Sequence, residues 1–362
     1  MRTEDLVVVE CGGGPRRRGR AHGEALRSTI ARKVEQWHAA IGEAYKEPAE
    51  RFLPRFLAST DFASAISRHV PDLDEEVKGI AEGAGIAHET AFAMQLMDEE
   101  WWFGKRGGHG HCSSLAVAPA SGRAALVAQT MDLSFWQDGT QALLKFDEED
   151  GNESYVFTSA GMIGLMGVSG RGLGICVNTL NQLEVSATGL PVAYVMRGAL
   201  ARGDVTAAAS FLKSVPHASG QNYQVGGRDE VRTFECSAGG AVEVALEGGR
   251  SLHTNHPLAS RDRRGGTASL EGNSDSIGRL RSLHADLEAA RVPAPTAEDV
   301  QRALSACRTD AAVSIVPPDG ARLNDPLTLG AVIYEFGEAV ELSVAAGPPS
   351  VESWRRITLR SR

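Results

Sequence analysis

An abrupt change of residue pattern at residues 104–110 constrains the fold of this 362-residue chain more than any other feature. Four of these seven residues are glycine, and such a run suits neither the interior of a helix nor that of a strand. Before it, apolar residues recur at helical spacing, whereas after it short strand-like runs alternate with turns and pairs of helices. The pattern predicts a helical first third followed by an α+β layered body.

The individual elements follow from the same periodicities. Helices are predicted over 16–45, 72–82, 88–102, 191–202, 205–215, 274–290 and 296–307. Strands are predicted over 113–118, 125–131, 142–147, 154–159, 163–168, 173–179, 221–226, 231–236, 241–246 and 251–254, with a closing hairpin of 328–335 and 339–345. Because no linker, repeat or low-complexity tract divides the sequence, we expect a single domain over 1–362.

Charge and composition exclude several classes of partner. The net charge of −9 argues against nucleic acid or an anionic membrane surface as the main partner. No apolar run approaches the roughly 20 residues that a membrane helix needs, and the apolar run at residues 6–9 is too short for a signal-peptide core. The five cysteines are an odd number without CxxC pairs, which indicates free thiols. We therefore expect a cytoplasmic protein.

Cys112 opens the first strand-like run after the glycine-rich stretch. A free cysteine is usually a small buried hydrophobe, and a flexible loop leading to a buried strand would explain this one. Alternatively, Cys112 is a nucleophile that becomes the first residue of a new chain when the His111–Cys112 bond breaks. The preceding glycines allow the strained backbone that cleavage needs, and the freed α-amine, with a pKa near ~8, can accept the thiol proton.

A series of short motifs after Cys112 favours the second interpretation. These motifs are Gln129–Asp132, Gly161–Gly164, Gly172–Asn178, Gly220–Tyr223, Glu235–Ser237 and His253–Pro257. Their order and spacing resemble the acyl-coenzyme A:6-aminopenicillanic acid acyltransferase-like family of autoproteolytic cysteine enzymes, which are N-terminal-nucleophile hydrolases. The resemblance covers about residues 110–346 and implies a four-layered αββα sandwich.

The resemblance also implies roles for individual residues. Cleavage between His111 and Cys112 would give a helical α-chain of 1–111 and a β-chain of 112–362, which stay associated. Cys112 would then be the catalytic thiolate, Asp132 would orient or stabilise its new ammonium group, and Asn222 would donate an N–H to the oxyanion. On local sequence alone, Asp132 is equally a turn aspartate and Asn222 a strand-edge amide.

Other residues are expected to shape or support the substrate pocket rather than transfer protons. They are Phe135, Trp136, Glu235, His253, Asn255 and His256. Relatives often carry an arginine after a Ser-Ile-Cys element near the last strands, but here residues 313–318 read VSIVPP and no arginine follows directly. Arg308 and Arg322 are the candidates to replace it, and the sequence assigns no catalytic arginine.

The resemblance implies a cysteine amidohydrolase that cleaves a linear amide, an N-acyl amine or N-acyl amino acid, through an acyl-enzyme on Cys112 and without a cofactor. The alternative within this class is an acyltransferase that moves an acyl group from a thioester or amide to an amine. An alternative from another class is a non-catalytic αββα domain that binds a ligand or a metal. His109, His111, Cys112, His253 and His256 are zinc-ligand types, but their spacing fits no compact zinc motif, so no metal is expected.

A scaffold protein that has lost its activity is a third interpretation, because the expected arginine is absent from its usual place. The sequence does not identify the small-molecule amide. It also leaves open whether the protein assembles into a homo-oligomer.

Overall fold

The computed structural model describes residues 1–105, 111–120, 122–148, 150–264, 274–289, 294–307 and 311–361. Within these ranges the strands form one eight-stranded and one six-stranded sheet. Residues 106–110 of the glycine-rich stretch, which include His109, and the candidate Arg308 lie outside the described residues.

The larger sheet contains one strand from before the glycine-rich stretch and seven strands from after it. Its strands are β1 (Val7–Glu10), β4 (Gln141–Asp147), β5 (Glu153–Ser159), β6 (Met166–Ser169), β7 (Leu173–Thr179), β8 (Gln221–Gly227), β9 (Val231–Ser237) and β10 (Gly240–Val244), side by side in this order. The pairing of β1 with β4 is parallel, and the other neighbours are antiparallel. The N-terminal segment is therefore built into the sheet.

The smaller sheet holds the strand that follows Cys112. Its strands are β2 (Ser113–Val117), β3 (Ala125–Ser134), β11 (Arg250–His253), β12 (Pro326–Phe336), β13 (Val340–Ala346) and β14 (Arg355–Thr358), in the antiparallel order β11-β2-β3-β12-β13-β14. Ser114 pairs with His253 on one side and with Gln129 on the other. The register therefore brings the His253 motif beside the start of β2.

Helices cover the outer faces of the two sheets. Helices α8 (Val192–Leu200) and α9 (Val205–Ser214) contact the larger sheet, and α10 (Ser274–Ala289) and α11 (Ala297–Leu304) contact the smaller one. Strands β2 and β3 contact β7, β8 and β9 across the interface between the sheets. The αββα sandwich that the resemblance implies is thereby confirmed.

Strand β2 shows how the sequence produces these layers. Leu115 and Val117 join the apolar cluster beneath α10 and α11, whereas Ala116 joins the cluster between the sheets. Alternate residues of a strand point to opposite faces, so a strand covered on both faces reads as a continuous apolar run. The run that follows Cys112 is buried for this reason.

Seven helices occupy the described part of the first third of the chain. They are α1 (Pro15–Ala25), α2 (Arg27–Tyr45), α3 (Ala49–Ala58), α4 (Phe62–His69), α5 (Pro71–Ala84), α6 (His88–Ala93) and α7 (Met97–Phe103). In the described residues, none of the helices is both long and apolar enough to cross a membrane.

Several predicted elements are wrong in their bounds: the strand over 125–131 continues to Ser134, and the helix over 296–307 ends at Leu304. The helix over 16–45 is interrupted at Leu26, which has a non-helical φ of −113° and ψ of 19°. The helix over 88–102 is interrupted near Gln95, and the strand over 163–168 begins only at Met166. The Gln95 side chain accepts from the Ile163 amide and donates to the Gly161 carbonyl, so side-chain bonds replace strand pairing before Met166.

Helices α1 and α5 cross at unusually close range because glycines face each other. A Cβ atom at Gly79 would collide with the backbone carbonyl of Arg16, and one at Gly19 would collide with that of Glu76. Close approach of two helix backbones requires residues without side chains at the crossing. The glycines therefore let α1 and α5 pack with their backbones in contact.

We expect Gly79→Ala to lower the free energy of unfolding by roughly 1–3 kcal/mol or more, because the added methyl group forces two helix backbones apart. The control is Gly42→Ala in α2, where a Cβ would have nothing within 4 Å. Alanine should stabilise that helix by roughly 0.5–1 kcal/mol. Urea unfolding monitored by circular dichroism measures both, and equal effects would contradict the close crossing.

Candidate active site

Cys112 lies immediately before β2, and its side chain is only 3% exposed. In the continuous chain its nitrogen is a peptide nitrogen. Its thiol lies 3.6 Å from the Sδ of Met131 and donates towards the backbone carbonyl of Asp132 at 3.8 Å. Burial, with a further contribution from the Asp132 charge, raises the pKa of Cys112 to about 12. The side chain is therefore a neutral thiol before any cleavage.

A fully buried arginine that the sequence analysis missed contacts the backbone of Cys112. The Nη1 of Arg279, in α10, donates to the Cys112 carbonyl at 2.7 Å and to the Ser113 hydroxyl at 3.0 Å. Its Nη2 donates to the Asn255 Oδ1 at 3.0 Å, and its Nε donates to the Asp275 carboxylate at 2.8 Å. One guanidinium thus joins α10, the start of β2 and the segment after β11.

Asp275 extends this contact to the other side of the His111–Cys112 bond. Its Oδ2, which accepts from Arg279, also lies 3.2 Å from the Nδ1 of His111. The His111 contact and the Arg279 cation hold the pKa of Asp275 at about 2, against the opposing effect of burial. Residues on both sides of the proposed cleavage bond are thereby held by one Asp-Arg pair.

Asp132 is buried within β3 and shares the immediate surroundings of Cys112. Its Oδ1 accepts from the Thr328 hydroxyl at 2.5 Å, and its Oδ2 has no hydrogen-bond partner among the described residues. Burial raises the pKa of Asp132 to about 7, and the Thr328 hydrogen bond and the Arg279 charge oppose this shift. A carboxyl with such a pKa can take or give a proton near neutral pH.

Asn222 lies in β8 directly opposite Asn178 of β7. Its Nδ2 donates to the Asn178 Oδ1 at 3.1 Å, and the Ser114 hydroxyl donates to the same oxygen at 2.5 Å. The amide predicted to hold an oxyanion is therefore engaged by Asn178 in the continuous chain. Asn222 does not line the cavity that contains Cys112.

Glu235 and the residues after β11 form a buried supporting network. The Glu235 carboxylate faces the Nε2 of His253 at 2.9 Å and accepts from the backbone amides of residues 258, 259 and 260. His256 contacts the Ser276 hydroxyl at 2.8 Å, and Asn255 donates to the Thr179 carbonyl at 3.0 Å. These bonds fix the segment after β11, which carries Asn255. The side-chain oxygen of Asn255 accepts a hydrogen bond from Arg279.

The geometry of these side chains does not resemble a metal centre. No group of three or more His, Cys, Asp or Glu side chains within the described ranges is arranged to hold a metal ion. Both ring nitrogens of His253 face oxygens of Glu235 and Thr254, so the ring is engaged in the supporting network.

A cavity adjoins Cys112. Its lining combines residues of the first third with residues of both sheets: Gln95, Met97, Asp98, Trp101, Cys112, Met131, Asp132, Leu133, Met162, Gly164, Leu165, Val177, Thr179, Val192, Ala193, Met196 and Gln221. Phe135 and Trp136 do not line it, and the ring of Trp136 instead lies 5.9 Å from the Lys33 ammonium. Arg322 is exposed to solvent, so it does not replace the expected arginine.

Comparison with known proteins gives a family and several relatives. A sequence profile of the family "acyl-coenzyme A:6-aminopenicillanic acid acyl-transferase" matches residues 121–314, more than half of the chain. The 40 kDa form of acyl-coenzyme A:6-aminopenicillanic-acid-acyltransferase from Emericella nidulans is 26% identical over 256 residues, which cover 70% of this chain and 70% of that protein.

Two solved structures are also similar in part. A mutant conjugated bile acid hydrolase from Clostridium perfringens is 11% identical with a TM-score of 0.44, covering 69% of this chain and 97% of that one. Penicillin V acylase from Agrobacterium tumefaciens is 11% identical with a TM-score of 0.39, covering 65% and 83%.

We expect Arg279→Ala to lower the free energy of unfolding by roughly 3–5 kcal/mol, because it leaves a buried carbonyl, hydroxyl and amide without their charged donor. Arg281→Ala is the matched control, since that arginine is exposed on the same helix and should change stability by about 0.5 kcal/mol or less. Both are measured by urea unfolding in a Cys112→Ala background, which keeps the chain continuous. Equal losses would contradict the role of Arg279.

Asp132 should make stability fall as pH rises. Its pKa is about 7 in the folded chain, against an ordinary value of 3.8, so the folded state binds the proton more tightly than the unfolded state does. Its contribution to the free energy of unfolding is therefore fully favourable below about pH 4 and is lost as pH rises to about 7. In a Cys112→Ala background, Asp132→Asn should remove this part of the pH dependence, measured by urea unfolding from pH 4 to 8. An unchanged profile would contradict a neutral Asp132.

Proposed function

The chain belongs to the acyl-coenzyme A:6-aminopenicillanic acid acyl-transferase family, and from that premise we propose that it is a self-processing cysteine amidohydrolase with Cys112 as its nucleophile. Membership makes it an enzyme that transfers acyl groups or hydrolyses amide bonds. The observation that carries the finer proposal is the position of Cys112. Its thiol adjoins both the cavity and Asp132, and its carbonyl is held by Arg279.

The first reaction is cleavage of the chain itself. The Cys112 sulfur attacks the carbonyl carbon of His111, the C–N bond breaks, and the Cys112 nitrogen gains a proton and becomes a free amine. Asp132 is suited to accept the thiol proton, because its pKa is about 7. Water then adds to the His111 thioester, the C–S bond breaks, and the products are the His111 carboxylate and the Cys112 thiol.

Two bonds around the cleavage position support this assignment. Arg279 donates to the carbonyl of Cys112, and Asp275 contacts the imidazole of His111. Fixing the residues on both sides reduces the rotational freedom that the attack would otherwise have to overcome. Arg279 and Asp275 thus act as positioning residues for processing, whereas Cys112 performs the chemistry.

In turnover, the α-amine of Cys112 takes the thiol proton, because its pKa near ~8 is close to that of a thiol. The thiolate attacks the carbonyl of an N-acyl amine or N-acyl amino acid. The resulting ammonium protonates the leaving nitrogen as the C–N bond breaks, and water resolves the acyl-thioester. Asn222 is proposed as an oxyanion donor, which requires its hydrogen bond to Asn178 to open.

The α-chain of 1–111 and the β-chain of 112–362 are proposed to stay associated. Strand β1 is paired with β4 in the larger sheet, and Lys33 donates to the Ala160 carbonyl from within the core. Gln95 and His22 also bind backbone groups of residues 161–163. Separating the chains would expose all of these groups, so cleavage alone does not release the α-chain.

Acyl transfer to an amine is the second candidate, and the name of the Emericella nidulans relative favours it. The two functions share every step up to the acyl-thioester and differ in whether water or an amine resolves it. Adding an amine acceptor to the assay separates them, since a transferase forms a new amide.

Denaturing mass spectrometry of the purified protein should show two fragments, 1–111 and 112–362, with Cys112 at the new N-terminus. Cys112→Ala should remain full length because it lacks the attacking sulfur. Cys176→Ala is the control, since Cys176 is a buried thiol in β7 and its loss should still allow cleavage. A wild-type chain that stays intact after prolonged incubation would rule out the processing step.

A further inference from the structure

The turn between β5 and β6 forms one wall of the cavity beside Cys112. It spans residues 160–165, which we call the cavity turn, and it contains the Gly161–Gly164 motif of the sequence. Met162 and Leu165 line the cavity from this turn. The motif thus contributes to the surface that faces the cavity, although it supplies none of the proposed reacting groups.

Side chains of the helical first third hold the start of the cavity turn. The pairing of β5 with β6 begins at Met166, so other groups must satisfy the polar backbone atoms before it. The Nζ of Lys33, in α2, donates to the Ala160 carbonyl at 3.0 Å. The Nε2 of His22, in α1, accepts from the Gly161 amide at 3.0 Å. Two helices therefore fix the backbone where the turn leaves β5.

The middle of the cavity turn is held in the same way. Gln95 donates to the Gly161 carbonyl and accepts from the Ile163 amide, each at 2.8 Å. The Nη1 of Arg197, in α8, donates to the Ile163 carbonyl at 2.5 Å. Glu76 of α5 holds this guanidinium through two hydrogen bonds of 2.8 and 3.0 Å. All of these side chains are more than nine-tenths buried, so the path of the turn depends on buried polar bonds to the first third.

Lys33 is costly to bury. It is 1% exposed, and in the part of the chain that the structure describes no carboxylate forms an ion pair with it. Burial lowers the pKa of Lys33 from its ordinary value of 10.5 to about 7. An apolar side chain of similar volume would fill the same space without this cost. Packing therefore does not explain the lysine, whereas its N–H donor for the Ala160 carbonyl does.

Neither Lys33 nor His22 lines the cavity. A change in either side chain therefore reaches the substrate through the cavity turn, whose backbone they bind. We infer that Lys33 and His22 are positioning residues for the proposed reaction, because they hold the cavity turn where it packs against the substrate. The helical first third thereby shapes the cavity from a distance, a role that rests on the proposed function.

Kinetic constants separate positioning from stability. Processed protein is assayed with butanoyl, hexanoyl, octanoyl and phenylacetyl amides of 7-amino-4-methylcoumarin, and the amide that the wild-type enzyme hydrolyses best is used for every variant. Lys33→Leu removes the donor at similar volume, so KM should rise by about tenfold while kcat stays within about threefold. A variant that is merely less stable would contain less active enzyme, which lowers the apparent kcat and leaves KM unchanged.

Two further substitutions show whether the donor is responsible. Lys33→Gln keeps an N–H donor without the charge, so it should bring KM to within about threefold of the wild-type value. Lys46→Leu is the matched control, because this lysine is exposed directly after α2 and its loss should leave both constants unchanged. An unchanged KM in Lys33→Leu, or an equal rise in Lys33→Gln, overturns the inference.

Nuclear magnetic resonance of methionine labelled with ¹³C in its methyl group tests the position of the cavity turn without turnover. In a Cys112→Ala background, which keeps the chain continuous, the signal of Met162 is assigned with Met162→Leu. Lys33→Leu should displace this signal, whereas Lys46→Leu should leave it in place. A Met162 signal that does not move overturns the inference, as does a displaced signal in a variant whose KM is unchanged.

The two measurements distinguish failure of the inference from failure of the proposed function. An unchanged KM in an active enzyme overturns the inference and leaves the proposed function standing. If the wild-type chain hydrolyses none of the amides, the proposed function falls, and the Met162 signal decides whether Lys33 positions the turn. His22→Leu removes the acceptor for the Gly161 amide and carries the same expectations for KM and for the Met162 signal if Lys33→Leu does not fold.

Discussion

The buried guanidinium of Arg279 is the interaction on which the rest of the candidate site depends. It joins the carbonyl of Cys112 to the side chains of Asn255 and Asp275, and so ties β2 to α10 and to the segment after β11. Charge-assisted hydrogen bonds of this kind are strong and directional. The hydrogen bonds of Glu235 contribute to this arrangement, because they fix the segment that carries Asn255, an acceptor for Arg279.

The burial that fixes Cys112 also opposes its reactivity. In the continuous chain the pKa of the thiol is about 12, so the thiolate is scarce at neutral pH. The proposed cleavage resolves this conflict, because it creates an amine on the same residue that can take the thiol proton. Before that amine exists, Asp132 is the proposed acceptor of the thiol proton, because its raised pKa lies near neutral pH.

Local patterns predicted much of the sandwich: β7 and α9 appear almost where the apolar periodicity puts them. Contacts distant in sequence determined the rest. Strand β1 is a four-residue apolar run that becomes a strand only by pairing with β4, and Gln95 bonds displace the start of β6. Arg279 could not be identified from sequence because Arg281 stands two positions away in the same helix. Only packing decides which arginine is buried.

If Cys112 becomes an activated N-terminal thiol, the rate at which each cysteine is alkylated reveals it. Processed native protein is treated with iodoacetamide, and peptide mass mapping follows all five thiols together with the loss of amidase activity. We expect Cys112, in a peptide that begins with it, to react faster than the exposed Cys307, and activity to fall in proportion. Labelling of Cys307 while Cys112 stays unmodified, or full activity after Cys112 is labelled, would contradict it.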